Sequence, residues 1–100
     1  MPIGDRETRA ERIRTALTAL SPSALELVDE SHKHIGHAGA RDGRGHFALR
    51  IVSAQFDGLS MVARHRRVYD AVGELMQTDI HALSIHAQTP AEADVRPASP

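Results

Sequence analysis

Seven histidines and no cysteine set the chemistry open to this 100-residue chain. His32, His34, His37 and His46 fall in or beside one glycine-bearing stretch, His65 falls within a helical pattern, and His81 and His86 bracket an apolar run. Imidazole ligates zinc, nickel, copper and iron, and it titrates near neutral pH. The His32-x-His34-x-x-His37 spacing resembles a mononuclear zinc or nickel site. Its short steps in a loop preset no geometry, so adventitious metal binding is the expectation there. Disulfides, thiol nucleophiles and thiolate metal sites built from this chain alone are excluded. Nor is there a Gly-x-Ser-x-Gly elbow, a phosphate loop or a carboxylate pair at a recognisable spacing, so the chain does not read as an enzyme.

The rest of the composition describes one modest domain. Hydrophobic residues make up 41% and charged residues 25%, and no apolar run reaches 18 residues. A soluble globular domain over residues 1–93 is expected, followed by a flexible tail at 94–100. The opening Met1-Pro2-Ile3-Gly4-Asp5-Arg6 contains no apolar h-region, which makes the cytoplasm the expected compartment. With a net charge of -1 and a pI near 6.6, binding to nucleic acid or anionic lipid would need a local patch.

Periodicity places the elements. Ala10, Ile13, Ala16, Leu17 and Leu20 recur at helical spacing, with Asp5 as cap, Glu7 at the positive end of the dipole and Ser21-Pro22-Ser23 as stop. Residues 24–31 read as a strand with Leu25 and Leu27 on one face. His32 to Gly45 carries four glycines and reads as a long loop, the first place to seek a site. The clearest strand is 46–53, with Phe47, Leu49 and Ile51 facing one way and His46, Ala48 and Arg50 the other.

A second helix follows Leu59 and Ser60, with Met61, Val62, His65, Val68, Tyr69, Val72, Leu75 and Met76 as its apolar stripe and Arg64, Arg67, Asp70 and Glu74 opposite. The last strand, 81–87, sets His81, Leu83 and Ile85 on one face, and one helical turn is expected at Pro90-Ala91-Glu92. This order predicts an α+β fold of two layers, its helices on one face of a three-stranded mixed sheet.

Several blocks in register then carry a family resemblance. They are Val28-Asp29-Glu30-Ser31-His32-Lys33-His34, Gly36-His37-Ala38-Gly39, Gly45-His46-Phe47, the run from Ile51 to Ser60, Arg64-His65-Arg66-Arg67-Val68-Tyr69 and Ile80-His81-Ala82-Leu83-Ser84-Ile85. From about Arg6 to Glu92 the chain resembles the BolA family. The resemblance implies a variant of the class II KH fold (α-β-β-α-β) and a partner of monothiol glutaredoxins that shares a bridging 2Fe-2S cluster in iron-sulfur trafficking or iron sensing. It also implies the alternative of a DNA-binding transcriptional regulator acting through the second helix. The family's cluster histidine falls on His81 and its loop ligand on His37, which places the chain in the histidine-bearing subgroup. His46, closing the same loop, is a candidate substitute.

Each residue also has an ordinary account. An iron-sulfur cluster prefers thiolates and accepts imidazole on one iron, so a cluster here would need sulfurs from a partner cysteine and glutathione. His37 could equally be a solvated loop residue, and His81 a hydrogen-bonded residue on the inner face of its strand. His65 reads as a packed structural histidine. Arg64, Arg66 and Arg67 form a basic patch suited either to DNA phosphate or an acidic partner, or to ion pairs with Asp70 and Glu74. KH-like RNA binding is disfavoured, because Asp57-Gly58-Leu59-Ser60 has one glycine and Gly36-His37-Ala38-Gly39 lies between strands. A metal-free interaction adaptor is the third reading.

Overall fold

Thr8 begins the described structure and caps its first helix. The computed structural model describes residues 8–31 and 45–94. The Thr8 hydroxyl accepts from Glu11 N at 3.1 Å, and the Glu11 carboxylate accepts from Thr8 N at 2.8 Å, so α1 (Arg9–Leu17) starts with a capping box. The expected cap, Asp5, is therefore replaced by Thr8. Ile13 and Leu17 are fully buried, and Leu20 extends their stripe through a 3-10 turn over Thr18–Leu20. Ser21 then enters the left-handed region at φ 47°, ending the helix where the Ser-Pro-Ser run predicts.

Three strands make one mixed sheet in the order β1 (Ala24–Asp29), β2 (Gly45–Val52), β3 (Ile80–Gln88). The central strand β2 runs antiparallel to β1 and parallel to β3. A parallel step needs a long crossover. It is supplied by a 3-10 turn at Ala54–Phe56, α2 (Met61–Val72) and α3 (Leu75–Thr78), and α4 (Pro90–Asp94) follows β3. Phe47, Leu49 and Ile51 alternate onto the helix side, each no more than 3% exposed, and join Ile13, Leu17, Phe56, Val68 and Val72 in one core. Ser53, also buried, donates to Leu20 O at 2.6 Å and accepts from Gln55 N at 3.1 Å, tying the end of the first helical segment to the end of β2. The two-layer α+β fold is thus as the sequence predicts.

Helix α2 is rotated relative to its expected stripe. Ser60 does cap it, accepting from Ala63 N at 3.1 Å. Its buried face, however, is Arg64, Val68 and Val72, while Met61, Val62 and Tyr69 are 55%, 61% and 41% exposed and His65 is only half-buried. The expectation of a packed, hydrogen-bonded His65 is corrected accordingly: among the described residues its ring has no hydrogen-bond partner. Gly73, at φ 53°, breaks the helix, so Leu75 and Met76 pack from α3 instead of prolonging the stripe.

The rotation has a measurable consequence, since Val68 and Val62 are the same side chain on one helix. We expect Val68→Ala to cost about 2 kcal/mol in urea unfolding and Val62→Ala less than about 0.5 kcal/mol. Equal costs would restore the expected stripe.

Candidate metal-capping site

The starts of β2 and β3 are pinned by hydrogen bonds to the backbone. Glu30 N donates to His46 O at 2.8 Å, Gly45 N donates to Asp79 O at 2.9 Å, and His46 N donates to Ser31 Oγ at 3.0 Å. Ser31 N in turn donates to Asp29 Oδ1 at 2.9 Å. Only glycine fits at 45, because a Cβ there would lie 2.7 Å from the Phe47 ring and 2.8 Å from Ser31 Oγ.

On this frame the His46 and His81 rings come together, centroids 5.0 Å apart and tilted by 43°. His46 is half-buried and faces away from Phe47, as its alternation predicts. His81 is exposed, which corrects the expectation that it shares the inner face with Leu83 and Ile85. The cause is a β-bulge. Gly45 pairs with Ile80 but His46 pairs with Ala82, so His81 is an extra residue between two pairs and turns outward. His32, His34 and His37 lie outside the described residues.

The donor set of this pair admits an imidazole-ligated metal. Two imidazoles on one tetrahedral ion, with metal-nitrogen distances of about 2.0 to 2.1 Å, have ring centroids roughly 5 Å apart. His46 Nε2 is buried, so this ring would have to turn or present its other nitrogen. No group of three or more His, Cys, Asp or Glu able to hold a metal occurs among the described residues. Two imidazoles suit one iron of a 2Fe-2S cluster, whose remaining ligands must come from elsewhere.

The basic patch is smaller than its sequence suggests. Arg64 is buried, not solvent-facing: its guanidinium donates to Leu59 O at 3.0 Å and Ala87 O at 3.1 Å, and pairs twice with Glu92 at 2.6 and 3.0 Å. Arg64 is therefore withdrawn from any docking role, whereas Arg66 and Arg67 are exposed and form no ion pair with a described residue. The Glu92 carboxylate also accepts from Thr89 N at 2.9 Å, and Thr89 Oγ1 accepts from Glu92 N at 3.1 Å, which seats α4 beside α2.

Sequence reasoning missed Asp79, two residues before His81. Burial disfavours its charge, but the Thr78 hydroxyl and the Arg12 guanidinium outweigh burial and hold its carboxyl below the usual range. Arg12 lies 67 residues away, and no local spacing signals the pair. The outer face of the sheet carries a shallow groove lined by Glu26, Val28, Ala48, Leu49, Arg50, Ser84 and His86. Glu26, Arg50 and His86 form one row across the three strands.

The small α+β fold is what the solved relatives share with this chain. A family profile describing BolA-like proteins matches residues 17–92, and the chain belongs to that family. It is 48% identical over 91 residues to SufE-like protein 1, chloroplastic/mitochondrial, of Arabidopsis thaliana, covering 85% of this chain and 24% of that protein. The solved BolA domain of SufE1 from the same plant superposes with a TM-score of 0.74 at 46% identity, covering 85% of this chain and 95% of that one. Protein BOLA1, chloroplastic, from that species is 44% identical over 94 residues, 90% of this chain and 59% of that protein. The DNA-binding transcriptional regulator BolA of Escherichia coli is 38% identical over 84 residues, 84% of this chain and 74% of that protein. The chain thus spans about a quarter and six tenths of the two plant proteins it matches. Among the described residues no helix is long and apolar enough to cross a membrane.

The Arg64 clamp makes a prediction in acid. Arg64 and the Thr89 backbone hold the Glu92 carboxyl down at about 2, against an ordinary 4.5. A depressed carboxyl stabilises the fold fully above its unfolded value, so this contribution is present above pH 4.5 and is lost as pH falls toward about 2. Glu92→Gln should lower the melting temperature at neutral pH and flatten its fall across that window. Parallel melting curves against pH for the two proteins would contradict the clamp.

Proposed function

We propose that this chain is the imidazole-bearing half of a two-protein site: it docks a monothiol glutaredoxin and caps one iron of a shared 2Fe-2S cluster. The partner's cysteine and glutathione supply the sulfur ligands. The observation that carries this reading is the His46–His81 pair, two imidazoles 5.0 Å apart at the start of β2 and β3. His81 would be one ligand. The second is His37 by family resemblance, with His46 as the substitute already in place. When bound, the cluster supplies an exchangeable iron-sulfur unit for trafficking or for sensing iron. This chain's part is to hold imidazoles at the sheet end and to leave the sulfur positions to its partner, as a binding protein and not as an enzyme. Imidazole on one iron raises the cluster's potential and leaves it more labile than full thiolate ligation.

A second reading, a DNA-binding regulator acting through α2, has its own observation. Arg66 and Arg67 are exposed on that helix, and the Escherichia coli relative carries a name that describes such a role. The phosphate contacts would come from Arg66 and Arg67 without Arg64.

The two readings separate in solution. Titrated into cluster-loaded glutaredoxin and followed by visible circular dichroism, His81→Ala should lose the shared cluster. His37→Ala and His46→Ala should shift its bands, and all three should keep the apo melting curve. A wild-type spectrum for His81→Ala at wild-type affinity would remove the ligand assignment. For the second reading, replacing Arg66 and Arg67 with Ala should lower DNA affinity and reduce the salt slope by about two. An unchanged slope would sink it.

A further inference from the structure

One irregular pairing decides which way His81 points. Under strict alternation Gly45 would pair with His81, and His81 would join Leu83 and Ile85 beneath the helices. Instead Gly45 pairs with Ile80, and the bulge releases His81 to the side occupied by His46. Sliding the start of β3 by one residue would erase the bulge and carry His81 inward, because a one-residue slip reverses every side chain's face. Something must therefore hold the residues before the bulge.

Asp79 is built to do so. It is 7% exposed, and five groups fix it. Arg12 donates to its Oδ2 through Nε at 3.0 Å and through Nη2, and Thr78 Oγ1 donates to its Oδ1 at 2.6 Å. Its own N–H donates to Leu75 O at 2.8 Å, and its carbonyl accepts from Gly45 N at 2.9 Å. Arg9 Nε adds positive charge 3.9 Å from Oδ2. The clamp joins α1, α3 and β2 at the residue immediately before β3, and Ile80, fully buried, follows it into the core. A charged side chain this deep loses hydration that only well-placed donors replace, so it has one favourable position and resists sliding.

We infer that the Arg12–Asp79 ion pair is a positioning device for His81: it locks the register of β3 ahead of the bulge and thereby sets the side of the sheet from which the imidazole emerges beside His46. The inference takes its functional meaning from the cluster-sharing reading above, but the geometry it concerns belongs to the apo chain. Neither residue touches the metal; both act through the backbone that carries His81.

The test is nuclear magnetic resonance on the full apo chain, reading the ring-to-ring cross-peak between His46 and His81 and their imidazole shifts. Asp79→Ala and Arg12→Ala should each lose the cross-peak. Arg12→Lys, which keeps the charge, should retain it, and so should Leu17→Ala, which weakens the core elsewhere. The cross-peak at wild-type intensity in both Asp79→Ala and Arg12→Ala overturns the inference, as does its equal loss in Leu17→Ala. Should Asp79→Ala fail to fold, the Arg12 variants decide alone. Mixing the same proteins with cluster-loaded glutaredoxin keeps the two proposals apart: a wild-type chain that never shares a cluster removes the functional reading, while the cross-peaks still decide the clamp.

Discussion

The alternation of β2 is the constraint from which the rest follows. Phe47, Leu49 and Ile51 must all lie under the helices, because they are the large side chains of the one strand that has a neighbour on each side. That commits His46, Ala48 and Arg50 to the opposite face. It also commits β1 and β3 to registers that place Leu25, Leu27, Leu83 and Ile85 on the buried side. A strand of period two cannot bring both Ile80 and Leu83, three residues apart, to the core side without an extra residue between them. The bulge is thus the geometric outcome of serving the core and the histidine pair with one strand.

Two ion pairs reach across the fold, and both join segments distant in sequence. Arg12–Asp79 links α1 to the start of β3, and Arg64–Glu92 links α2 to α4 beyond its end. In each, one partner is sheltered and its charge is met by several hydrogen bonds. A buried charge left without such partners would be strongly unfavourable, so these pairs specify arrangement more than they add net stability. They fix the two ends of β3, one beside the histidine pair and one beside the crossover helix.

On the cluster-sharing proposal, a chain with no cysteine needs another molecule to complete the site around its histidine pair. Imidazole alone is a poor cage for an iron-sulfur cluster but a suitable cap for one iron, whose potential it would raise relative to thiolate ligation. In that reading the exposed His81 can meet a group from outside the chain, as a buried one could not. The outer face of the sheet, with its groove and its Glu26–Arg50–His86 row, runs on from this site and is left uncovered by the helices.

Much of this was legible in the residues. Alternation placed β2 to within a residue, the Ser-Pro-Ser run ended the first helix, and ordered blocks of sequence pointed to the BolA family. These signals are local: period, cap and turn chemistry act within a few residues of each other. What only the tertiary structure decided depends on partners far along the chain. Arg64 reads as a surface residue until Glu92 and the carbonyls of Leu59 and Ala87 close around it. His81 reads as an inner-face residue until Gly45 pairs with Ile80 and the bulge turns it out. Asp79 gives no signal in the sequence, and its part emerges only when Arg12 arrives from α1. A sequence pattern assigns a face by hydrophobicity, whereas a buried charge or an extra strand residue is settled by whichever distant group can satisfy it once the chain is folded.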